Sequence, residues 1–258
     1  RFSIDANGAW TYTLNNSAAN VQALKGGQNA TDSFTARTAG GANQVITLTI
    51  AGNNDAPVIA STTPAIGYTD TAANDNFTAT SYTASATDAD GDPVTWGIQS
   101  GTGSVASLAG SYGTLTLSGS TFTYSPNDAA IEGLKANEIT SDSFTLRVSD
   151  GAVVRTQTLN IDLTGANDPT QFSGTTTGSV VEDGTLSASG TLNVADRDAG
   201  DALINAQTNT AGSYGRFNID VNGAWTYLLN NAAANVQALK AGQNVTDTFT
   251  VTTAGGAT

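Results

Sequence analysis

The passage from Arg1 to Asn43 occurs a second time between Arg216 and Thr258, with differences at only ten of 43 positions. Most of these exchange small or similar residues, such as Ser3 for Asn218, Ala6 for Val221, Ala30 for Val245 and Ala36 for Val251. A match of this length does not arise by chance, and an internal repeat constrains the fold before any local pattern does. A third, diverged copy lies between the two. Tyr112-Gly113-Thr114-Leu115 answers Tyr214-Gly215-Arg216-Phe217, and Phe122-Thr123-Tyr124 answers Trp225-Thr226-Tyr227. Leu134-Lys135-Ala136 answers Leu239-Lys240-Ala241, and Asp142-Ser143-Phe144-Thr145 answers Asp247-Thr248-Phe249-Thr250. The chain is therefore expected to be part of a tandem array with divisions at 1–54, 55–167 and 168–258.

Within each copy the pattern is that of strands. Phe2-Ser3-Ile4 and Trp10-Thr11-Tyr12-Thr13-Leu14 alternate on either side of an Asn7-Gly8 turn, which predicts a hairpin burying Trp10, Tyr12 and Leu14. Ala18, Val21 and Leu24 are spaced as one face of a short helix, ended by Gly26-Gly27. Two further strands are expected near 32–38 and 44–51. The middle copy predicts seven strands: A at 57–60 and 65–68, B at 77–87, C at 94–99, D at 113–117, E at 121–125, F at 143–149 and G at 153–164. A short helix at 128–135 joins E to F. Seven short strands with regular turn signals read as an antiparallel sandwich of immunoglobulin type. Its expected core is Trp96, Leu115, Leu117, Phe122, Tyr124, Phe144, Leu146, Val148, Leu159, Ile161 and Leu163. The first copy lacks strands A to C, and the third stops before its strand G. The expectation is thus a window on a longer array, or an assembly whose neighbours supply the missing strands.

Composition narrows the function. The net charge is −13 with only nine Lys and Arg, which argues against a nucleic-acid partner. The chain has no His and no Cys. Histidine-dependent catalysis, disulfides and thiolate metal sites are therefore absent. Among enzymes only a carboxylate pair of glycosidase type would remain, and catalysis is not expected. No apolar run approaches the roughly 18 residues of a membrane span. What the charge favours is a hard divalent cation held by oxygen ligands.

Two loops concentrate those ligands: Asp88-Ala89-Asp90-Gly91-Asp92-Pro93 and Asp196-Arg197-Asp198-Ala199-Gly200-Asp201. Either could fold around one cation, or could be a solvated turn. Strand parity adds an independent argument. With alternating strand directions, the B–C and F–G loops lie beside the incoming linker, so Asp55, Asp88, Asp90 and Asp150 should converge. The A–B and E–F loops lie beside the outgoing linker, so Asp70, Glu138 and Asp142 should approach Asn167 and Asp168, with Asp196 and Asp198. Gathered carboxylates repel unless a cation sits among them.

Gly52-Asn53-Asn54-Asp55-Ala56-Pro57-Val58, Gly-Ala-Trp-Thr-Tyr at 8–12 and 223–227, and Val-Gln-Ala-Leu-Lys-x-Gly-Gln-Asn at 21–29 and 236–244 resemble the VCBS-type repeats of giant bacterial RTX and biofilm adhesins. The middle copy is more similar to a cadherin-like or bacterial immunoglobulin-like module. The resemblance implies extracellular or surface-anchored tandem sandwiches stiffened by Ca²⁺ at their junctions. Carried onto this chain, the linker motif falls on Asn54-Asp55 and Asn167-Asp168, and the Asp-x-Asp motif on Asp88/Asp90 and Asp196/Asp198. Together with the acidic loops and strand parity, the expected ligand set is Asp55, Asp88, Asp90, Asp92, Asp150, Asn167, Asp168, Asp196, Asp198 and Asp201. Four functions are open to such a chain: a structural stalk of an adhesin with neighbouring repeats as partners, a self-assembling filament exchanging strands, a module binding surface or matrix glycans through Trp or Tyr, and an enzyme. The first is expected.

Overall fold

The computed structural model describes all 258 residues. They form twenty strands and three one-turn helices in antiparallel sheets. The first repeat gives a hairpin of β1 (Phe2–Ile4) and β2 (Trp10–Tyr12), the helix α1 (Ala19–Gln22), and a long hairpin of β3 (Asn29–Arg37) and β4 (Asn43–Ala51). The middle repeat follows with β5 (Val58–Ile59), β6 (Ile66–Thr69), β7 (Thr80–Thr83), β8 (Ala86–Thr87), β9 (Thr95–Ser100), β10 (Gly103–Val105), β11 (Ser107–Ala109), β12 (Gly113–Ser118) and β13 (Thr121–Pro126). The helix α2 (Asp128–Ile131) then leads to β14 (Ile139–Ser149) and β15 (Val154–Thr164). The last repeat contains β16 (Gln171–Gly174), β17 (Ser187–Ala195), β18 (Gln207–Ala211), β19 (Gly215–Ile219), β20 (Ala224–Leu229) and α3 (Ala234–Gln237).

Two compact units can be distinguished, each discontinuous in sequence. One comprises residues 1–66, 78–126 and 142–161, the other residues 67–77, 127–141 and 162–258. The division runs through the middle repeat, so each of the two acidic junctions lies wholly inside one unit.

The first unit holds most of the sandwich core. One sheet has the order β10-β9-β14-β15-β6, and the other β11-β12-β13-β7. They meet through aromatic rings: Phe122 lies edge-on to Trp96 at 5.9 Å, and Tyr124 to Phe144 at 6.0 Å. The period-two pattern is realised in β14, where Asp142, Phe144, Leu146 and Val148 point inward in turn. Of the expected core, Trp96 and Leu117 are half-buried and the remainder is buried. The strand expected over 77–87 is broken, because β7 pairs with β13 while β8 pairs with β5. The switch occurs at Ala84-Ser85, where the Ser85 carbonyl accepts the Ala60 N–H at 2.9 Å and its own N–H donates to Ser61 Oγ at 2.9 Å.

In the second unit the sheet β16-β17-β20-β19-β18 packs around Ile204, Phe217, Ile219 and Trp225. Trp225 is 8% exposed and donates its indole N–H to the Thr175 carbonyl at 2.7 Å. A Cβ at Gly190 would sit 2.7 Å from its ring, so the backbone of β17 lies flat against it. The equivalent Trp10 is 44% exposed, which corrects the expected burial. Residues 1–54 contain no counterpart of β16 and β17 to cover it. Strands β10, β11, β16 and β18 were not anticipated, since their Gly, Ser and Gln content carries no hydrophobic alternation. Residues 247–253, the counterpart of the strand expected near 32–38, contribute only an isolated bridge between Ile204 and Thr253. The helices are also shorter than expected: a single turn has little intrinsic stability, and α2 and α3 are held by the packing of Ile131, Leu134 and Val236, whereas α1 buries no residue.

One tie recurs in all three repeats. The Asp142 carboxylate accepts the N–H groups of Ser111 and Tyr112 and the Tyr124 hydroxyl at 2.8, 3.0 and 2.7 Å. Asp247 accepts those of Ser213, Tyr214 and Gly215 and the Tyr227 hydroxyl at 2.7, 2.9, 3.1 and 2.8 Å. In the first repeat Tyr12 donates to Asp32 at 2.6 Å. A Cβ at Gly110 or Gly212 would lie 2.3 Å from the carboxylate it faces.

Burial pushes the Asp247 carboxyl up, but the hydrogen bonds from Tyr214, Tyr227, Ser213 and Gly215 together outweigh it and hold the group below its ordinary value. A depressed carboxyl stabilises the fold above its unfolded pKa of about 3.9, and that contribution fades as pH falls through the folded value. The stability gap between the native chain and Asp247→Asn, measured by urea denaturation, should therefore shrink on acidification below about pH 4. Tyr124→Phe should cost about 1–3 kcal/mol at neutral pH by leaving a buried carboxylate oxygen short of a donor.

Candidate metal centres

The two acidic loops are built alike although their sequences differ. In the first unit, Asp90 N–H donates to Asp88 Oδ1 at 3.0 Å, and in the second Asp198 N–H donates to Asp196 Oδ1 at 2.9 Å. This turn leaves the middle Asp of each loop pointing at the linker. There the Asp55 N–H donates to Asp90 Oδ2 at 2.7 Å, and the Asp168 N–H to Asp198 Oδ2 at 3.0 Å. Asn54 and Asn167 each turn their side-chain amide onto the next carbonyl, at 2.8 Å in both cases. That bond kinks the linker so that the following N–H faces the loop.

A lysine completes each arrangement. Lys25 is paired with Asp92, and Lys135 with Asp201. The Leu-Lys corner after each one-turn helix rests on a glycine that admits no side chain. A Cβ at Gly52 would meet the Lys25 carbonyl at 2.4 Å, and one at Gly165 would meet the Lys135 carbonyl at 2.5 Å. Close backbone approach therefore aims each lysine at the third Asp of the loop.

Beyond this frame the two centres diverge. In the first unit, Asp88, Asp90 and Asp92 each bring a carboxylate oxygen within 4.8 Å of the others. Asp150 accepts the Asn54 amide at 2.9 Å and the N–H groups of Ala152 and Val153. The Val153 N–H, then the Asn54 amide, hold its carboxyl below the ordinary range. In the second unit the cluster is Asp70, Glu132 and Asp168, all buried and again within 4.8 Å. Asp198, 2% exposed, joins them through the Asp168 N–H. Burial, only partly offset by the Ala166 N–H, pushes the Asp70 carboxyl up, and Glu132 and Asp168 add to the rise. Asp198 is raised in the same way, by burial first and by neighbouring aspartates next.

Asp88 and Asp90 lie together with Asp92, and Asp70 lies with Asp168, which Asp198 reaches through the Asp168 N–H, while Asp150 is tied to the Asn54 amide. Asp55 enters through its backbone N–H. Asp92 and Asp201 are engaged by lysine, and Asp196 accepts the Thr170 hydroxyl. The side chains of Glu138 and Asp142 are engaged elsewhere, although the Glu138 carbonyl accepts the Gly165 N–H at 2.8 Å. Glu138 accepts the Lys135 N–H at 3.1 Å, and Asp142 is committed to the tie described above. Glu132 was not anticipated, because Gln22 and Gln237 occupy its place in the other repeats and hide it from repeat comparison. The lysines carried a signal that went unused: Lys25, Lys135 and Lys240 recur in all three copies.

The donor set fits a hard cation. Asp70 Oδ1, Asp168 Oδ2 and Asp198 Oδ1 in one centre, and Asp88 Oδ2 and Asp90 Oδ1 in the other, are buried carboxylate oxygens without a hydrogen-bond partner. Buried charge without a partner is costly, and oxygen-only clusters are what Ca²⁺ coordinates.

The sequence pattern of the bacterial cadherin-like domain matches residues 54–165 and again 167–258. No curated protein sequence matches the chain. Among solved structures, the chain is similar to protocadherin gamma B2 extracellular domains 1–5, at 10% identity and a TM-score of 0.34, covering 89% of this chain and 43% of that one. It is similar to human protocadherin-24 EC1-2 at 17% identity and a TM-score of 0.31, covering 70% and 81%. It is similar to Drosophila N-cadherin EC1-4 at 15% identity and a TM-score of 0.30, covering 83% and 52%. The chain thus spans less than half the length of the first of these structures.

Removing one charge from the buried cluster should relieve it. In chelator, Asp70→Asn should melt about 2–4 °C above the native chain, the response of a protein this size to ~1 kcal/mol. Differential scanning calorimetry reads this directly, and a lower melting point would show that the carboxylates are not in conflict.

Proposed function

The chain belongs to the bacterial cadherin-like domain family, and from that premise we propose that it is a stalk segment of an extracellular adhesion protein whose sandwiches are stiffened by Ca²⁺ at their junctions. The family is one of adhesion and structural modules, not of enzymes. No helix of the chain is long and apolar enough to cross a membrane. In this reading the repeats divide at 1–54, 55–167 and 168–258, the partners are neighbouring repeats, and the location is the bacterial surface or the medium around it.

The observation that carries the reading is the pair of acidic centres built on one frame, each with buried carboxylate oxygens that have no partner. Asp88 and Asp90 would hold the ion in one, with Asp92 and Asp150 beside them. Asp70, Glu132, Asp168 and Asp198 would hold it in the other, with Asn167, Asp196 and Asp201 at the margin. A bound divalent ion supplies positive charge to carboxylates drawn from segments that flank each linker. The linker N–H groups of Asp55 and Asp168 already orient the loops, so binding would order little new backbone.

Saturating Ca²⁺ at about 100 times its Kd should stabilise the chain by about 2.7 kcal/mol per site. With both sites filled, the expected readouts are a rise in melting temperature of about 10–20 °C relative to chelator and a longer particle in small-angle scattering. Mg²⁺, which demands stricter octahedral geometry, should do less. If chelation alters neither melting nor dimensions, calcium has no part in stiffening the chain.

A further inference from the structure

The two acidic loops differ at their second position: the middle copy has Ala89, and the third has Arg197. Arg197 does not extend into solvent. Its guanidinium turns back over the buried cluster, with Nη1 2.8 Å from Asp168 Oδ1 and Nε 3.3 Å from Glu132 Oε2. Asp168 and Glu132 are 1% and 4% exposed, so the charge it meets is almost fully desolvated. The loop is pinned where this reach is possible, since the Ala199 N–H donates to the Gly133 carbonyl at 3.2 Å. Gly133 directly follows Glu132.

The contact is selective. Arg197 takes one oxygen of Asp168 and leaves Oδ2 without a partner; Asp70 Oδ1 and Asp198 Oδ1 are likewise unpartnered and buried, and Glu132 Oε2 meets Arg197 at ion-pair distance but accepts no hydrogen bond. The guanidinium therefore neutralises part of the cluster and leaves the rest open to a second positive charge. Lys135 does not perform this task, because it is spent on Asp201 as Lys25 is spent on Asp92.

We propose that Arg197 is a built-in counter-charge that competes with Ca²⁺ for Glu132 and Asp168, lowering calcium affinity at this centre while keeping its carboxylates together when calcium is scarce. The proposal rests on the calcium reading above. An arginine suits the role because its planar fork spans two carboxylates and it does not lose its proton. A divalent ion entering the cluster meets a like charge within a few ångströms, and one such repulsion in a partly screened site is worth on the order of tenfold in affinity. The centre with Ala89 has no such resident. The two junctions would then respond to calcium by different rules, one of them buffered by its own side chain.

The test uses the full chain carrying Asp88→Asn and Asp90→Asn, so that only the Arg197 centre is titrated, with folding checked by circular dichroism. Calcium chloride is titrated calorimetrically into this background and into its Arg197→Ala and Arg197→Lys derivatives. Arg197→Ala should bind Ca²⁺ about tenfold more tightly and should melt at a lower temperature than its parent in chelator. Arg197→Lys, which keeps the charge, should stay near the parent in affinity. Unchanged or weaker binding in Arg197→Ala would overturn the proposal and make Arg197 a plain structural clamp. Failure of the calcium reading looks different: the native chain itself then takes up no Ca²⁺, and the competition proposal falls with it.

Discussion

Carboxylates crowded out of water are the constraint on which this molecule turns. Asp70, Glu132, Asp168 and Asp198 are each less than 5% exposed, and few bulk waters reach them to share the charge. Main-chain N–H groups, one arginine and the lysine beside them supply what compensation there is. Every other feature of the junctions follows from delivering those few donors to the right place. The linker asparagines bend the chain so that an N–H faces the loop. The glycines at 52 and 165 let a strand lie on a carbonyl so that a lysine can reach.

The same frame appears twice on different sequences, which separates the necessary from the incidental. Asn before Asp in the linker, Asp-x-Asp in the loop, Lys after the helix and Gly beneath that Lys recur at both junctions. The residue between the two aspartates does not, nor do the acids contributed by the preceding sandwich. The frame sets where charge gathers, and the variable positions set how much of it stays unbalanced. Differences between junctions along a tandem array are then expected to lie in side chains and not in backbone geometry.

Much of this was legible beforehand. Strand alternation in β12 to β15 names the core almost residue by residue, and strand parity places Asp55, Asp88, Asp90 and Asp150 at one end without any coordinates. Three things were not legible. Glu132 sits where the other repeats have glutamine, so comparing copies argues against it. Asp142 looks like one more acid near a junction, yet it faces inward because β14 places it in register with Phe144, Leu146 and Val148. The sheet switch at Ala84-Ser85 is written in main-chain hydrogen bonds to Ala60 and Ser61, partners that no local pattern around residue 84 identifies. Trp10 shows a related limit: its own sequence is that of a core residue, but whether it is covered depends on strands elsewhere.

The inward carboxylate of Asp142, Asp247 and Asp32 bears on how such repeats drift. In the two fuller ties its partners are amides of the peptide chain and one phenol, so the identities of the side chains at 111 and 213 are irrelevant to the bond. Only the glycine just before each turn and the tyrosine across the sheet are fixed. A tether that is nearly blind to sequence lets repeats diverge widely, as the middle copy has done, while their strands keep one register.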